Sequence, residues 1–439
     1  MRKRSLVSFI AAQCIAMSAV AATIPLKSIE QDITVLAGDE FKGRKVYTPE
    51  LDLAADYIAS RFKSIGLKPF KGSFKQNFSI FFITPSNATL KINGVDIAPE
   101  KIALATTSRS FDWDEESDVT QHLVGENDDL RKVLAKLNLQ GGDHFVVVHH
   151  KHEELFKRYK QHFERGLTKL DDGNTGTVMM ALNNSSTVKN FSAHGQSSIS
   201  NKALSNVVGV LPGATKPQDV VLYTAHYDHL GTKLTKGQTE DGDIIYNGAD
   251  DNASGVAGVI NLAQYFAQKR NNARTLMFVA FTAEEVGGYG SKYFSDHVPA
   301  DNVTAMVNLE MIGKESKFGP GKLWMTGKER SSLGDIMNQA LRGKASPIQP
   351  DPYPLQRLFY RSDNATLARL GVPAHSFSTV QLETDRHYHS VTDEAGTINL
   401  TSLKQVLETL AEGSQTLVNG TATPTRVDTS KVTADGKIF

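Results

Sequence analysis

The chain has almost no cysteine, a single Cys14 in 439 residues. That excludes a disulfide framework and any zinc site built on several thiolates. It also lacks an excess of either charge, with 48 basic residues against 48 acidic ones. No basic face for nucleic acid or for an anionic membrane is therefore implied. Beyond the first two dozen residues no apolar run is long enough to cross a bilayer, and no internal repeat is evident. What remains is the composition of an ordinary globular protein, long enough for two domains or for one large domain with an insertion.

The N-terminus reads as a leader. Arg2-Lys3-Arg4 forms a positive start, Leu6 to Val20 is mostly apolar, and Ala19-Val20-Ala21 offers a small-x-small cleavage site. A signal peptide over residues 1–22 is expected, with no membrane anchor in the mature form. Cys14 lies inside it, so the mature chain has no cysteine, and loss of the three basic residues leaves a net charge of −3. An exported protein without cysteine fits a bacterial periplasm or culture fluid.

Helical spacing of Leu51, Ala54, Ala55, Ile58, Phe62 and Ile65 predicts a helix over 50–65, with Gly66 as its cap. Residues 83–203 are more polar, with short β-like runs at 145–148 and 177–180, and read as an inserted, smaller α+β or β-rich domain. From Asn206 onward short apolar strands (206–211, 220–224, 275–281, 304–309, 374–378) alternate with helix patterns near 253–268, 291–297, 364–370 and 400–417. This predicts an α/β fold with a mixed, mostly parallel central sheet covered by helices on both faces. The catalytic domain is then discontinuous, 23–82 and 204–420, and residues 421–439 form a polar, loose tail.

Ligands of such sheets bind beyond the carboxyl ends of the strands, and that is where the chemistry-bearing residues stand. His226, Asp228 and His229 follow the 220–224 strand. Asp250 and Asp251 precede a helix. Glu284 and Glu285 follow 275–281, Glu310 follows 304–309, and His387, Tyr388 and His389 follow 374–378. Each is unremarkable alone: Asp-Asp-Asn-Ala-Ser is an ordinary helix N-cap run, and Glu-Glu is usually a solvated pair. Together, imidazoles and carboxylates around one point are zinc ligands. Their number suits two ions about 3.5–4 Å apart. The tract His149-His150-Lys151-His152-Glu153 lacks the second histidine of a His-Glu-x-x-His helix, since Phe156 stands there.

The segments Ala225-His-Tyr-Asp-His-Leu-Gly231, Gly248-Ala-Asp-Asp-Asn-Ala-Ser-Gly255, Ala283-Glu-Glu-Val-Gly-Gly-Tyr-Gly-Ser291, Asn308-Leu-Glu-Met-Ile-Gly313 and Tyr388-His-Ser-Val-Thr-Asp393 resemble, in order, the signature blocks of family 28 metallopeptidases. These are co-catalytic zinc aminopeptidases related to glutamate carboxypeptidase and the transferrin receptor. Asp39-Glu-Phe-Lys-Gly-Arg44 is similar to part of their N-terminal region. The resemblance implies a zinc exopeptidase-like fold and two Zn2+ ions joined by one carboxylate and one water or hydroxide.

It further implies His226, Asp250, Glu285, Glu310 and His389 as metal ligands, Asp250 being the bridge with a cis peptide after it. Glu284 is the implied general base, Asp228 orients the His226 imidazole, and Tyr388 polarises the scissile carbonyl. Glu310 departs from the commoner Asp. His229 and His387 fall off the matched positions and are expected to be loop residues or to support the ligands.

The expected function is an exported zinc aminopeptidase acting on peptide substrates, with no nucleic-acid partner. The alternatives on the same centre are a carboxypeptidase, a dipeptidase or a glutaminyl cyclase-like enzyme. Outside catalysis, the alternative is a receptor-like binding protein that has lost its metals.

Overall fold

The computed structural model describes residues 22–232 and 242–439. The expected leader, with Cys14, lies outside them but for its last residue. Four strands run parallel in the middle of the main sheet, in the order Ala374–Ser378, Val303–Leu309, Lys216–His226 and Arg274–Phe281. Antiparallel partners flank them, Trp324–Met325 on one side and Phe191–Leu211 on the other. The sheet is thus mixed, with the parallel strands at its centre.

Alternation along the Lys216–His226 strand shows why both faces need cover. Val221, Tyr223 and Ala225 enter one core, under the helices Pro49–Ile65, Gly255–Lys269 and Leu400–Gly413. Val220 and Leu222 enter a second core on the opposite face, against the helices Tyr289–His297 and Asn364–Ala368. The part of a strand buried on both sides reads as a near-continuous apolar run, as Val220 to Tyr223 does here. The expected helix over 50–65 appears as Pro49–Ile65, with proline in its first turn and Gly66 at φ 87° ending it.

The segment 83–203 builds a separate four-stranded sheet, ordered Ile102–Thr106, Gly176–Leu182, Gly142–Val148, Thr120–Val124, with the helices Leu130–Gln140 and Glu153–Glu164 against it. Two long strands, Lys75–Ile92 and Phe191–Leu211, pair along almost their whole length and carry the main sheet out to this lobe. The limits expected at 83 and 203 fall inside those two strands.

The C-terminal segment is not loose. Val427 and Val432 are buried in the second core of the main lobe, and Ile438 is fully buried in the core of the smaller one. Asn138 Oδ1 accepts from the backbone N–H groups of Ile438 and Phe439. Overall polarity concealed three apolar residues spaced to reach two cores.

Candidate metal centre

The functional side chains leave the sheet where parallel strands end, except Asp251, which stands in the turn before the helix Gly255–Lys269. The Lys216–His226 strand delivers His226, fully buried, whose Nε2 lies 3.4 Å from Asp251 Oδ1 and 3.4 Å from Glu310 Oε1. The Arg274–Phe281 strand is followed by Glu284 and Glu285, and Val303–Leu309 by Glu310. The loop after Ala374–Ser378 brings His389, whose Nε2 is 3.2 Å from Asp251 Oδ2 and 3.5 Å from Glu285 Oε2. The two oxygens of Asp251 thus face two different imidazoles.

Asp250, expected as the bridge, is turned the other way. Its Oδ1 accepts from Gly313 N–H at 2.7 Å and from Ser254 Oγ at 3.2 Å, and its Oδ2 faces Lys314 Nζ at 3.6 Å. The cis peptide is Asp251–Asn252, one residue beyond the expected place. Asp393 holds the turn by accepting the N–H groups of both Asp250 and Asp251 on one oxygen, at 3.0 and 3.1 Å. Asn252 locks the exit, accepting from Gly255 and Met311 and donating to Leu309 O. Gly248, at φ 55°, begins the turn. A Cβ there would stand 2.2 Å from Asp251 O and 2.5 Å from the His229 ring, so no larger residue fits.

Asp228 also differs from expectation. Its carboxylate oxygen is 4.0 Å from His226 Nδ1, whereas its backbone carbonyl accepts from that nitrogen at 3.1 Å. The carboxylate instead receives the N–H groups of Glu284 and Glu285, at 3.1 and 3.3 Å. One residue therefore orients the imidazole by its carbonyl and the acid pair by its side chain.

His229, expected as a loop residue or a support for the ligands, is fully buried and donates from Nδ1 to Glu285 Oε1 at 2.7 Å. Glu310 Oε2 accepts from Ser362 Oγ at 2.6 Å. Tyr388 is 42% exposed and stacks on the His389 ring, centroids 3.9 Å apart. His387 turns its Nδ1 to Thr392 in the same loop. His149 and His152 are occupied far from the site, the first capping its own turn and the second facing Gly125 O.

Behind the loops lies Arg44, a fully buried guanidinium. It donates to the carbonyls of Leu36, Asn247, Tyr227 and Gly248 at 2.6, 2.6, 2.8 and 2.9 Å. Burial lowers its pKa to about 10, against the pull of Asp251 and Asp393. Lys314 gathers Asp250, Asp385 and Asp393 within 3.6 Å. These cations stand outside the cluster and pin the loops that form it.

The electrostatics show what the cluster demands. Burial opposes a charge on His226, yet Glu310 and Glu284 hold its pKa well above the ordinary value. Hydrogen bonds to Asp251 and Glu285 push His389 up to about 9. Burial would raise Asp251, but the imidazoles of His226 and His389 override it and hold it well below the carboxylate range. Glu284, desolvated and close to Glu310 and Asp363, is raised well above its usual value. So many acids in a buried space require positive charge among them.

The donor set fits metal ions. Ligand atoms of His226, Asp251 and Glu310 lie within 4.8 Å of one another, and so do those of His229, Asp251 and Glu285. These are the two such groups among the described residues, and they share Asp251. Both open on a cavity of about 140 Å³ whose walls include Met311, Trp324, Val380 and Leu382.

Residues 206–414 match the model of "Peptidase family M28". A probable zinc metalloprotease of Pyricularia oryzae is 36% identical over 115 residues, 26% of this chain and 22% of that one. A vacuolar membrane protease of Schizosaccharomyces pombe is 26% identical over 218 residues, 49% of this chain and 23% of that one. The chain thus spans about a quarter of the length of these curated relatives. Among solved structures, the zinc aminopeptidase BSAP from Bacillus subtilis superposes over 95% of this chain and 100% of its own, with a TM-score of 0.53 at 17% identity. That likeness is one of fold. No helix among the described residues is long and apolar enough to cross a membrane.

Proposed function

Since residues 206–414 belong to peptidase family M28, we propose that the chain is an exported di-zinc aminopeptidase that removes apolar residues from the free N-termini of peptides. The observation that carries this reading is the Asp251 carboxylate, whose two oxygens face His226 and His389 at 3.4 and 3.2 Å in a cavity that Glu284 also lines. One metal would be held by His226, Asp251 and Glu310, the other by Asp251, Glu285 and His389, with His229 fixing the outer oxygen of Glu285. Bound zinc supplies a Lewis acid and lowers the pKa of an attacking water toward neutrality.

The rest falls to the protein's own groups. Glu284 takes a proton as the water oxygen bonds to the peptide carbon, then gives it to the leaving nitrogen as the C–N bond breaks. A base whose pKa is raised by burial suits both halves of that transfer. Asp228 keeps Glu284 in place through its backbone N–H. Tyr388 lines the same cavity and is the group proposed to meet the oxyanion. Glu310 and Glu284 favour a substrate ammonium, and the apolar walls favour an aliphatic or aromatic first side chain. The leader-like residues 1–22 support export, and the 83–203 lobe is proposed as a distinct domain that does not carry the chemistry.

The test uses mature protein recovered from outside the cytoplasm, with zinc quantified, on leucyl peptides with free or acetylated N-termini. The expectation is two zinc ions per chain and cleavage of free N-termini only. Glu284→Gln should lower kcat at least about a thousandfold while zinc stays bound. Equal cleavage of acetylated peptides would refute the aminopeptidase reading. An active Glu284→Gln would remove Glu284 from its role, and retention of residues 1–22 would refute export.

A further inference from the structure

Glu284 borders two cavities. The first, described above, holds the ligand cluster and apolar walls. The second, about 330 Å³, shares Glu284, Arg361 and Ser362 with it but contains none of the residues assigned to metal binding. Glu284 must hand its proton to the leaving nitrogen, so the leaving residue lies beside it, on the side away from the ligand cluster. The second cavity occupies that position.

Its walls are unlike those of the first. Lys292, Arg361 and Arg369 line it, with Asp435 as their counter-charge. Asp435 is already engaged by Arg369 at 3.0 Å and by Lys292 at 3.7 Å. Nearby Arg357 lies over the Tyr360 ring at 5.1 Å and Arg330 over Phe359 at 4.5 Å. Arg361 differs from all of these. Among the described residues its side chain makes no hydrogen bond, ion pair or ring contact, although it is exposed at the rim of a strongly acidic site. An unpaired guanidinium at the junction of the two cavities presents a planar fork of donors that matches a carboxylate.

We propose that Arg361 is a specificity-determining residue that binds a carboxylate on the residue just beyond the scissile bond, making dipeptides with a free C-terminus the preferred substrates. This rests on the aminopeptidase reading, which sets the direction of the peptide across Glu284. The carboxylate has two possible sources, the C-terminus of a dipeptide or the side chain of an acidic second residue, and both present the same group to the guanidinium.

The experiment compares Leu-Leu, Leu-Leu-amide and Leu-Glu-amide, with acetyl-Leu-Leu as a control, on the zinc-loaded wild type and on Arg361→Gln and Arg361→Lys. Wild type is expected to favour Leu-Leu over Leu-Leu-amide by about tenfold or more in kcat/KM, mainly through KM, as suits loss of a charge-assisted pair. Arg361→Gln should bring that ratio close to one, and Arg361→Lys should restore part of it. A side-chain carboxylate as the source would show as Leu-Glu-amide surpassing Leu-Leu-amide in wild type alone. If wild type cleaves Leu-Leu and both amides equally, the proposal is overturned while the aminopeptidase reading stands. If acetyl-Leu-Leu is cleaved as well as Leu-Leu, the aminopeptidase reading fails and this proposal with it.

Discussion

Two adjacent aspartates divide the work between them. Asp251 turns both oxygens to the imidazoles, while Asp250 takes the N–H of Gly313 and faces Lys314. Asp251→Asn is therefore expected to leave a protein that folds but binds little zinc, read by metal analysis after dialysis. Asp250→Asn should keep its zinc and instead lose roughly 1–3 kcal/mol of stability in a denaturant melt, since the partly buried Lys314 loses part of its counter-charge. Zinc loss in Asp250→Asn with retention in Asp251→Asn would reverse the assignment. Neighbouring residues in a loop point in different directions, and no periodicity says which one faces the site. Strand and helix patterns located the Gly248–Gly255 turn, but only its backbone path selects Asp251. The partner of His229 was hidden for a related reason: Glu285 is 56 residues away and reaches it only when two strand ends meet. Glu284, Glu285, His226, Glu310 and His389 were legible because each follows a strand of recognisable pattern.

The elements themselves were easier to read. Buried parallel strands are mostly apolar, so 220–224, 275–281 and 304–309 stood out, and helices with one apolar stripe fell between them. The long antiparallel strands were harder. Phe191–Leu211 alternates exposed and buried along its outer half, and its polar residues concealed its continuity with the apolar end at 206–211. The Ala374–Ser378 strand also contains a polar residue the sequence did not explain. His375 is fully buried, with Nε2 2.7 Å from Ser331 Oγ and Nδ1 donating to Thr326 O at 2.8 Å. Burial lowers its pKa to about 4, whereas an unfolded histidine titrates near 6.5. The unfolded chain thus takes up the proton first as pH falls, and stability is lost between about pH 6.5 and 4. The loss attributable to His375 is about 2 kcal/mol at pH 5. His375→Gln should therefore lose about that much less than wild type between pH 7.5 and 5, in urea melts of both proteins. Equal losses would show that His375 is not the group that titrates.

On the scale of the whole molecule, the two lobes are joined three times, by the paired strands Lys75–Ile92 and Phe191–Leu211 and by the C-terminal segment. Ile438, fully buried among Leu134, Val146 and Phe163, is the far anchor of that segment. Ile438→Ala is expected to cost about 2–4 kcal/mol locally and to speed proteolysis of the smaller lobe at constant zinc content. A variant as protease-resistant as wild type would mean the segment rests on the lobe without holding it. Arg44 carries a consequence of a different kind. The carbonyls at Tyr227, Asn247 and Gly248 that its guanidinium requires lie 183, 203 and 204 residues downstream, and His389 comes later still. During synthesis at about 5–20 residues per second, Arg44 waits on the order of tens of seconds for partners that do not yet exist. No nascent chain that stops short of His389 contains a complete centre, so a cation is acquired late, and for an exported chain its source would be the compartment in which the chain folds.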